Sequence, residues 1–174
     1  MIRPNRFQVV LVGVLGLVLW TSASCGEPDE TTQNSSIRQA LRHEQAFGLL
    51  RTLGGGTVEE MVPTVRSLGG HQEGLNGFAA RGRQVSLADV DAQLRAWGWA
   101  GRGADCGRDP QTGPFFGAVW SKQLPDREAF LSVDQKGQRV DVVLYTLPVH
   151  ADPASYPSPD DHHSTIPACI ATSG

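Results

Sequence analysis

The chain has little of several residue types that mark common classes of protein. Only 3 of its 174 residues are cysteines, too few for a disulfide mini-protein or a multi-zinc domain. Its formal net charge is -3, so it has no basic excess with which to bind phosphates, and we expect no nucleic-acid partner. A chain of this length with 40% hydrophobic residues is typical of one globular domain.

Signatures of common catalytic sites are absent as well. The sequence has no Gly-x-Ser-x-Gly motif, so nothing supports a nucleophile-elbow serine hydrolase. No lysine follows the glycines at 54–56 at P-loop spacing. The Gly-Arg-Gly sequence at 101–103 lacks the third glycine of a dinucleotide-binding motif, and we interpret it as a turn. The sequence therefore favours a non-enzymatic protein without a cofactor.

Residues 1–24 carry the pattern of an export signal. Arg3 and Arg6 give a positive start, and an apolar run follows at 9–20. As a helix this run would cover about 18 Å at ~1.5 Å per residue, which is short of the ~30 Å hydrocarbon core of a bilayer. Small residues then lead to Cys25. This pattern predicts a signal peptide, and hence an exported protein.

The residues around the expected cleavage site carry a family resemblance. Ser22-Ala23-Ser24-Cys25 resembles the lipobox of bacterial lipoproteins, roughly Leu-Ala-Gly/Ser-Cys, with Ser22 in place of the usual leucine. The resemblance implies a lipid on Cys25 and an anchor in a membrane of the cell envelope. It covers the signal region alone, and residues 37–174 resemble no family. Ordinary cleavage to a secreted protein and an uncleaved anchor are the two alternatives.

The other two cysteines form an even pair once Cys25 is assigned to lipid. Cys106 and Cys169 are 63 positions apart, and an oxidising compartment outside the cytosol would allow them to form a disulfide. The alternative is two separate buried thiols.

Composition divides the exported chain into three parts. Residues 25–36 are polar and lack aliphatic and aromatic residues, which predicts a flexible tether. Residues 37–150 have the apolar content of a globular domain. Residues 151–174 contain four prolines, which predicts a tail without regular structure, strapped over the domain if Cys169 is bonded to Cys106.

Hydrophobic periodicity predicts an α+β fold. We expect a first helix from Ser36 to the glycines at 54–56, a second short helix at 57–65 and a third at 87–97, with a short strand at 77–80 as an option. Alternating patterns predict strands at 115–121, 127–133 and 139–147. The expected architecture is two to three N-terminal helices packed on a small antiparallel β-meander of about three strands.

Two sets of residues are candidates for a binding site. The tail contains imidazoles and carboxylates, the ligands that Zn, Cu or Ni accept, at His150, Asp160, His162 and His163. Their spacing matches no metal motif, so a solvated polar tail is the alternative. Trp99 lies off the apolar stripe of the 87–97 helix, which makes it a candidate for partner binding.

These observations favour an envelope lipoprotein that acts as a small binding or interaction module. Its expected partner is another envelope protein or a component of the cell wall, with the membrane reached through the N-terminal lipid. The alternative is a metal-binding or enzymatic envelope module that uses the region from His150 to His163.

Overall fold

The computed structural model describes residues 29–65, 72–149 and 162–173. The lipobox-like residues with Cys25 and the predicted metal ligands His150 and Asp160 lie outside the described residues. Four helices form in the described ranges: α1 (Glu30–His43), α2 (Gln45–Leu53), α3 (Leu87–Ala96) and α4 (Ile166–Ser173). The strands are β1 (Glu59–Met61), β2 (Thr64–Val65), β3 (Gln72–Glu73), β4 (Asn76–Arg83), β5 (Ala100–Asp109), β6 (Gly113–Gln123), β7 (Glu128–Lys136) and β8 (Arg139–Thr146).

Six of these strands build one antiparallel sheet in the order β1-β4-β8-β7-β6-β5. Strands β2 and β3 pair separately. The last four strands of the sheet follow one another along the chain, so β5 to β8 form a meander. Strand β4 then pairs with the far side of β8, and β1 forms the opposite edge from β5.

All four helices pack on one face of the sheet. The register places Phe78, Leu144, Leu131 and Trp120 in one row across four strands, and all four side chains are buried. Helices α1 and α2 contact the β4 and β8 end of this face, and α3 and α4 contact the β5 and β6 end. The alternating side chains of the central strands thus provide one apolar face, which the helices cover.

The α+β class is confirmed, but the predicted arrangement of about three strands is wrong. Strands at 115–121, 127–133 and 139–147 correspond to β6, β7 and β8, whereas β1 and β5 were missed and β4 was only partly expected. The predicted helix at 57–65 is also wrong, because β1 and β2 occupy that segment. Pro63 separates the two strands, and a proline inside this helix would have removed a backbone hydrogen bond.

The glycine-rich sequence at 101–103 lies in β5 and is not a turn. A β-bulge falls between Gly101 and Gly103, and no alternating side chains mark the strand. A Cβ on Gly101 would lie 2.8 Å from Ile166 Cδ1, and one on Gly103 would lie 2.6 Å from His162 Cβ. The glycines are therefore required because the tail packs directly on the backbone of β5.

The two ends of the domain are more regular than composition predicts. Helix α1 begins at Glu30, inside the predicted tether, and Asp29 caps it by accepting a 2.7 Å hydrogen bond from the N–H of Thr32. The first predicted helix is two helices that meet at Glu44. The tail was predicted to lack regular structure, but its described end forms α4, where buried Ile166 and Cys169 pack against the sheet.

Helix α3 confirms the prediction for 87–97 in detail. Ser86 caps the helix with its side chain, which accepts a 3.3 Å hydrogen bond from the N–H of Asp89. Its buried residues Leu87, Val90 and Leu94 follow the predicted apolar face. Strand β8 likewise alternates between buried and half-buried residues, and Gly137 in the turn before it has a φ of 59°.

Candidate functional site

The C-terminal tail wraps around the β5 edge of the sheet. His162 lies against Gly103 on the face without helices. Ser164 then pairs with Ala104 through two backbone hydrogen bonds of 3.0 Å, and α4 continues on the helix-bearing face. A strand edge is an open row of hydrogen-bonding groups, so this arrangement covers part of an otherwise free edge.

The predicted disulfide between Cys106 and Cys169 is confirmed. It joins β5 to α4, with a Cα–Cα distance of 5.6 Å. Cys169 is fully buried, and Cys106 lies beside it in the lining of the cleft described below. The bond therefore fixes the tail on the same edge that Ser164 and His162 contact.

Two of the predicted metal ligands meet at a carboxylate that sequence analysis did not select. His162 Nδ1 lies 2.9 Å from Asp105 Oδ2, and His163 Nδ1 lies 3.1 Å from Asp105 Oδ1. The backbone N–H of His163 donates a 2.9 Å hydrogen bond to Asp105 Oδ1. This hydrogen bond, with the contact from the His162 ring, lowers the pKa of Asp105 from its ordinary 3.8 to about 2.

This cluster bears on the metal hypothesis. In the described part of the chain, no three histidine, cysteine, aspartate or glutamate side chains are arranged to hold an ion. The Nδ1 atoms of both rings already face Asp105, which leaves only the Nε2 atoms pointing elsewhere. The metal site remains a prediction because His150 and Asp160 lie outside the described residues.

Trp99 does not lie on the surface. Its side chain is only 2% exposed and belongs to the hydrophobic core, so the expectation of a partner-binding surface there is wrong. The chain turns at Gly98, which has a φ of 81°, and this turn directs Trp99 inward after α3 has ended. The helical period could not reveal this direction, because Trp99 lies beyond the helix.

A cleft of about 830 Å³ opens between α3, α4 and the far end of the β5–β6 hairpin. Its floor is the helix-bearing face of the sheet, where Cys106, Phe116 and Gln135 are direct neighbours across three strands. The first turn of α3 forms one wall. Ile170 and Thr172 of α4, held by the disulfide, form another.

The cleft also contains a few polar groups, of which two bear on ligand binding. Gln135 is 4% exposed, and its Oε1 accepts a 3.1 Å hydrogen bond from the N–H of Val85, just before the cap of α3. Its side-chain nitrogen makes no hydrogen bond within the described residues. Arg108 contributes a positive charge, and no acidic residue lines the cleft.

Sequence reasoning missed this cleft, although one signal was present. The core face of β7 runs through Ala129, Leu131 and Val133, and its next position is Gln135. A polar residue at a core position requires a partner or a function, since burying an unpaired amide is costly. The partner, Val85, comes from a distant part of the chain and becomes visible only in the fold.

A second buried polar cluster lies at the opposite end of the sheet. Arg38 Nη1 donates a 2.7 Å hydrogen bond to Asn76 Oδ1, and Asn76 Nδ2 lies 3.2 Å from both the backbone oxygen and Oδ1 of Asn34. Glu60 of β1 pairs with Arg38 at 2.7 Å. Here the contacts join α1 to β4 and β1, so the cluster is structural.

Comparisons with protein-family models, with curated proteins and with solved structures find no significant match. Among the described residues, no helix is both long enough and apolar enough to span a membrane.

Proposed function

We propose that this protein is a lipoprotein of the bacterial cell envelope, anchored through lipid on Cys25, and that its domain is a binding module. Its partner is another envelope protein or a component of the cell wall. The domain itself performs no chemistry in this role. It presents a binding surface at the membrane to which the lipid holds it.

The observation that carries this proposal is the pairing of the cysteines. Cys106 and Cys169 form the disulfide, which is typical of proteins outside the reducing cytosol. Of the three cysteines in the chain, Cys25 is then left without a disulfide partner from this chain, at the end of an export signal. A lipoprotein uses a cysteine at this position for lipid attachment, so each of the three cysteines then has a role.

The cleft supports the binding role. Its volume of about 830 Å³ falls in the range of roughly 300–1,000 Å³ that is typical of small-molecule sites. It combines apolar side chains such as Phe116 and Ile170 with a few polar groups, which is the usual composition of a binding site.

The proposal is tested by the intact mass of the native protein extracted from its own membranes without reduction. We expect a chain that begins at Cys25, heavier by its acyl groups and lighter by two hydrogens for the disulfide. The matched variant Cys25→Ser should lose the acyl groups and leave the membrane fraction. The mass deficit from the disulfide should persist in this variant.

Other masses would contradict the anchor. An unacylated chain starting at Cys25 would identify a secreted protein, and a chain that retains residues 1–24 would identify an uncleaved anchor. Either result would overturn the lipoprotein proposal.

A further inference from the structure

We propose that the cleft between α3, α4 and the β5–β6 hairpin binds a small molecule that carries a carboxylate on an apolar or aromatic body. The inference rests on the proposed binding role and specifies the class of ligand. Three features carry it: the charge of the lining, the donor nitrogen of Gln135 and the apolar floor.

The lining is electrostatically suited to an anion. Arg108 is its only charged residue, and its guanidinium makes no hydrogen bond or ion pair within the described residues. The nearest acids along the chain do not line the cleft. Asp109 instead accepts hydrogen bonds from the N–H groups of Gln111 and Thr112, at 2.7 and 2.8 Å, in the adjoining turn. An anion in the cleft therefore meets a cation and no opposing carboxylate.

The first turn of α3 adds donors to the same side of the cleft. Ser86, Leu87 and Ala88 all line it, and the N–H groups at the start of a helix lack partners within the helix. The helix dipole also favours negative charge at this end. The hydroxyl of Ser86 accepts a hydrogen bond from the N–H of Asp89. The backbone N–H groups of Leu87 and Ala88 have no such acceptor within the described residues, so they remain available as donors.

Gln135 provides the cleft with an oriented, uncharged hydrogen-bond donor. Its side chain is 4% exposed, and its oxygen is fixed by the N–H of Val85, which orients the amide. Gln135 lines the cleft, and its side-chain nitrogen makes no hydrogen bond within the described residues, so two N–H groups remain available as donors. In the described residues, the buried side-chain atoms without a partner are Trp99 Nε1 and Thr146 Oγ1, so the Gln135 nitrogen is open to water. A ligand oxygen could take the place of that water as the acceptor.

The rest of the lining suits an apolar body. Phe116, Ile170 and the disulfide at Cys106 lie beside the donors, with Pro114 at the end of the hairpin. A carboxylate alone would leave this surface exposed to water, whereas an attached apolar or aromatic group would cover it. The single positive charge of Arg108 matches the single negative charge of a carboxylate. The nitrogen of Gln135 and the backbone N–H groups at the start of α3 are uncharged donors for its oxygens.

The experiment is calorimetric titration of the folded, oxidised domain with matched probes. N-acetyl-phenylalanine and 3-phenylpropionate carry the charge and the ring, N-acetyl-phenylalaninamide carries the ring alone, and acetate carries the charge alone. We expect both aromatic acids to bind at least about tenfold more tightly than the amide or acetate, because charged hydrogen bonds are stronger than neutral ones. Tighter binding of N-acetyl-phenylalanine than of 3-phenylpropionate would identify a peptide-like terminus as the source, and equal binding a simple apolar acid.

Two variants assign the binding to the cleft. Arg108→Gln should weaken binding of the aromatic acids about tenfold and leave the amide unchanged, whereas the matched control Arg51→Gln, an exposed arginine of α2, should have no effect. Gln135→Glu retains an acceptor for Val85 and replaces the free donor with an oxygen, so it should abolish acid binding. Its circular dichroism and disulfide mass would establish that it folds.

The proposal is overturned if no aromatic acid binds, if the amide binds as tightly as the acid, or if Arg108→Gln binds like the unchanged protein. Should Gln135→Glu not fold, the Arg108→Gln result alone decides. These outcomes are independent of the mass of the N-terminal cysteine. An acylated protein that does not bind the aromatic acids would refute the proposed ligand class but would not contradict the lipoprotein proposal.

Discussion

The two edges of the sheet are secured in different ways. At the β1 edge, Asn76 is fully buried and joins Arg38 and Asn34 in a network without a covalent bond. At the β5 edge, the tail is held by the Cys106–Cys169 disulfide and by contacts to Asp105, whose side chain is 40% exposed.

The difference shows which kind of interaction stabilises each edge. A buried network is costly to break, because each group that loses its partner stays buried and unsatisfied. Exposed charge pairs are screened by water and contribute little, so the β5 edge depends on its covalent bond. The same bond places α4 as a wall of the cleft, which links this edge to the proposed binding role.

Removing the disulfide should have the largest effect. The double variant Cys106→Ala/Cys169→Ala opens a loop with a sequence separation of 63 residues, and the loop-entropy relation gives a loss of about 4 kcal/mol in the free energy of unfolding. Urea unfolding of this variant against the oxidised protein measures the loss. A loss below about 1 kcal/mol would mean that noncovalent contacts hold the tail, and the contrast between the edges would fail.

Breaking the buried network should rank second. Asn76→Ala leaves Arg38 Nη1 and the backbone oxygen of Asn34 without this partner, which should cost about 3 kcal/mol. Urea unfolding checks this value. The control Gln111→Ala removes an exposed amide in the β5–β6 turn and should change stability by less than about 0.5 kcal/mol. An equal loss of stability in the two variants would show that the buried network stabilises the fold no more than an exposed amide does.

The Asp105 cluster should give a smaller, pH-dependent effect. Because folding lowers the pKa of Asp105 from 3.8 to about 2, its contribution is complete above about pH 4 and is lost as the pH falls toward about 2. The free energy of unfolding of Asp105→Asn should therefore decrease less between about pH 4 and about pH 2 than that of the unchanged protein. The difference should be less than about 1 kcal/mol, because Asp105 and its histidine contacts are partly exposed to water.

Urea midpoints between about pH 2 and about pH 7 measure this effect, with Asp126→Asn in the exposed turn before β7 as the control. A slope identical to that of the unchanged protein would mean that the histidine contacts do not stabilise the fold.

His163→Ala should have the smallest effect. The ring is 92% exposed, and the backbone N–H that contacts Asp105 is retained in alanine, so the free energy of unfolding should change by less than about 0.5 kcal/mol. His162→Ala should cost more, because its ring is 18% exposed and packs against Gly103. Equal losses would indicate that packing against β5 is unimportant.

The same two positions test the metal hypothesis. Metal content of the purified protein should be unaffected by the double change His162→Ala/His163→Ala if the tail is only a polar strap. Loss of a stoichiometric metal in the double variant would support the metal-binding alternative instead.

The regular parts of the fold were accessible from sequence. Strand β8 and helix α3 carry period-two and period-3.6 patterns in their own residues, and Ser86 marks the start of the helix. Strand β5 could not be found this way, since its glycines carry no pattern and are explained by what packs on them. The candidate site was predicted in part: the disulfide was expected, whereas the contacts of His162 and His163 with Asp105 and the place of Gln135 in the cleft were not.

The sequence alone was enough for the α+β class and for the three consecutive strands β6 to β8, because these depend on local periodicity. It made the pairing of Cys106 with Cys169 the expected one, and the fold established it. Only the tertiary structure decided that Trp99 is buried, that the tail crosses the edge of β5, and that Gln135 meets Val85 above a cleft. The last two outcomes depend on contacts between residues 50 or more positions apart, and a local pattern carries no information about which distant segment will cover a given surface.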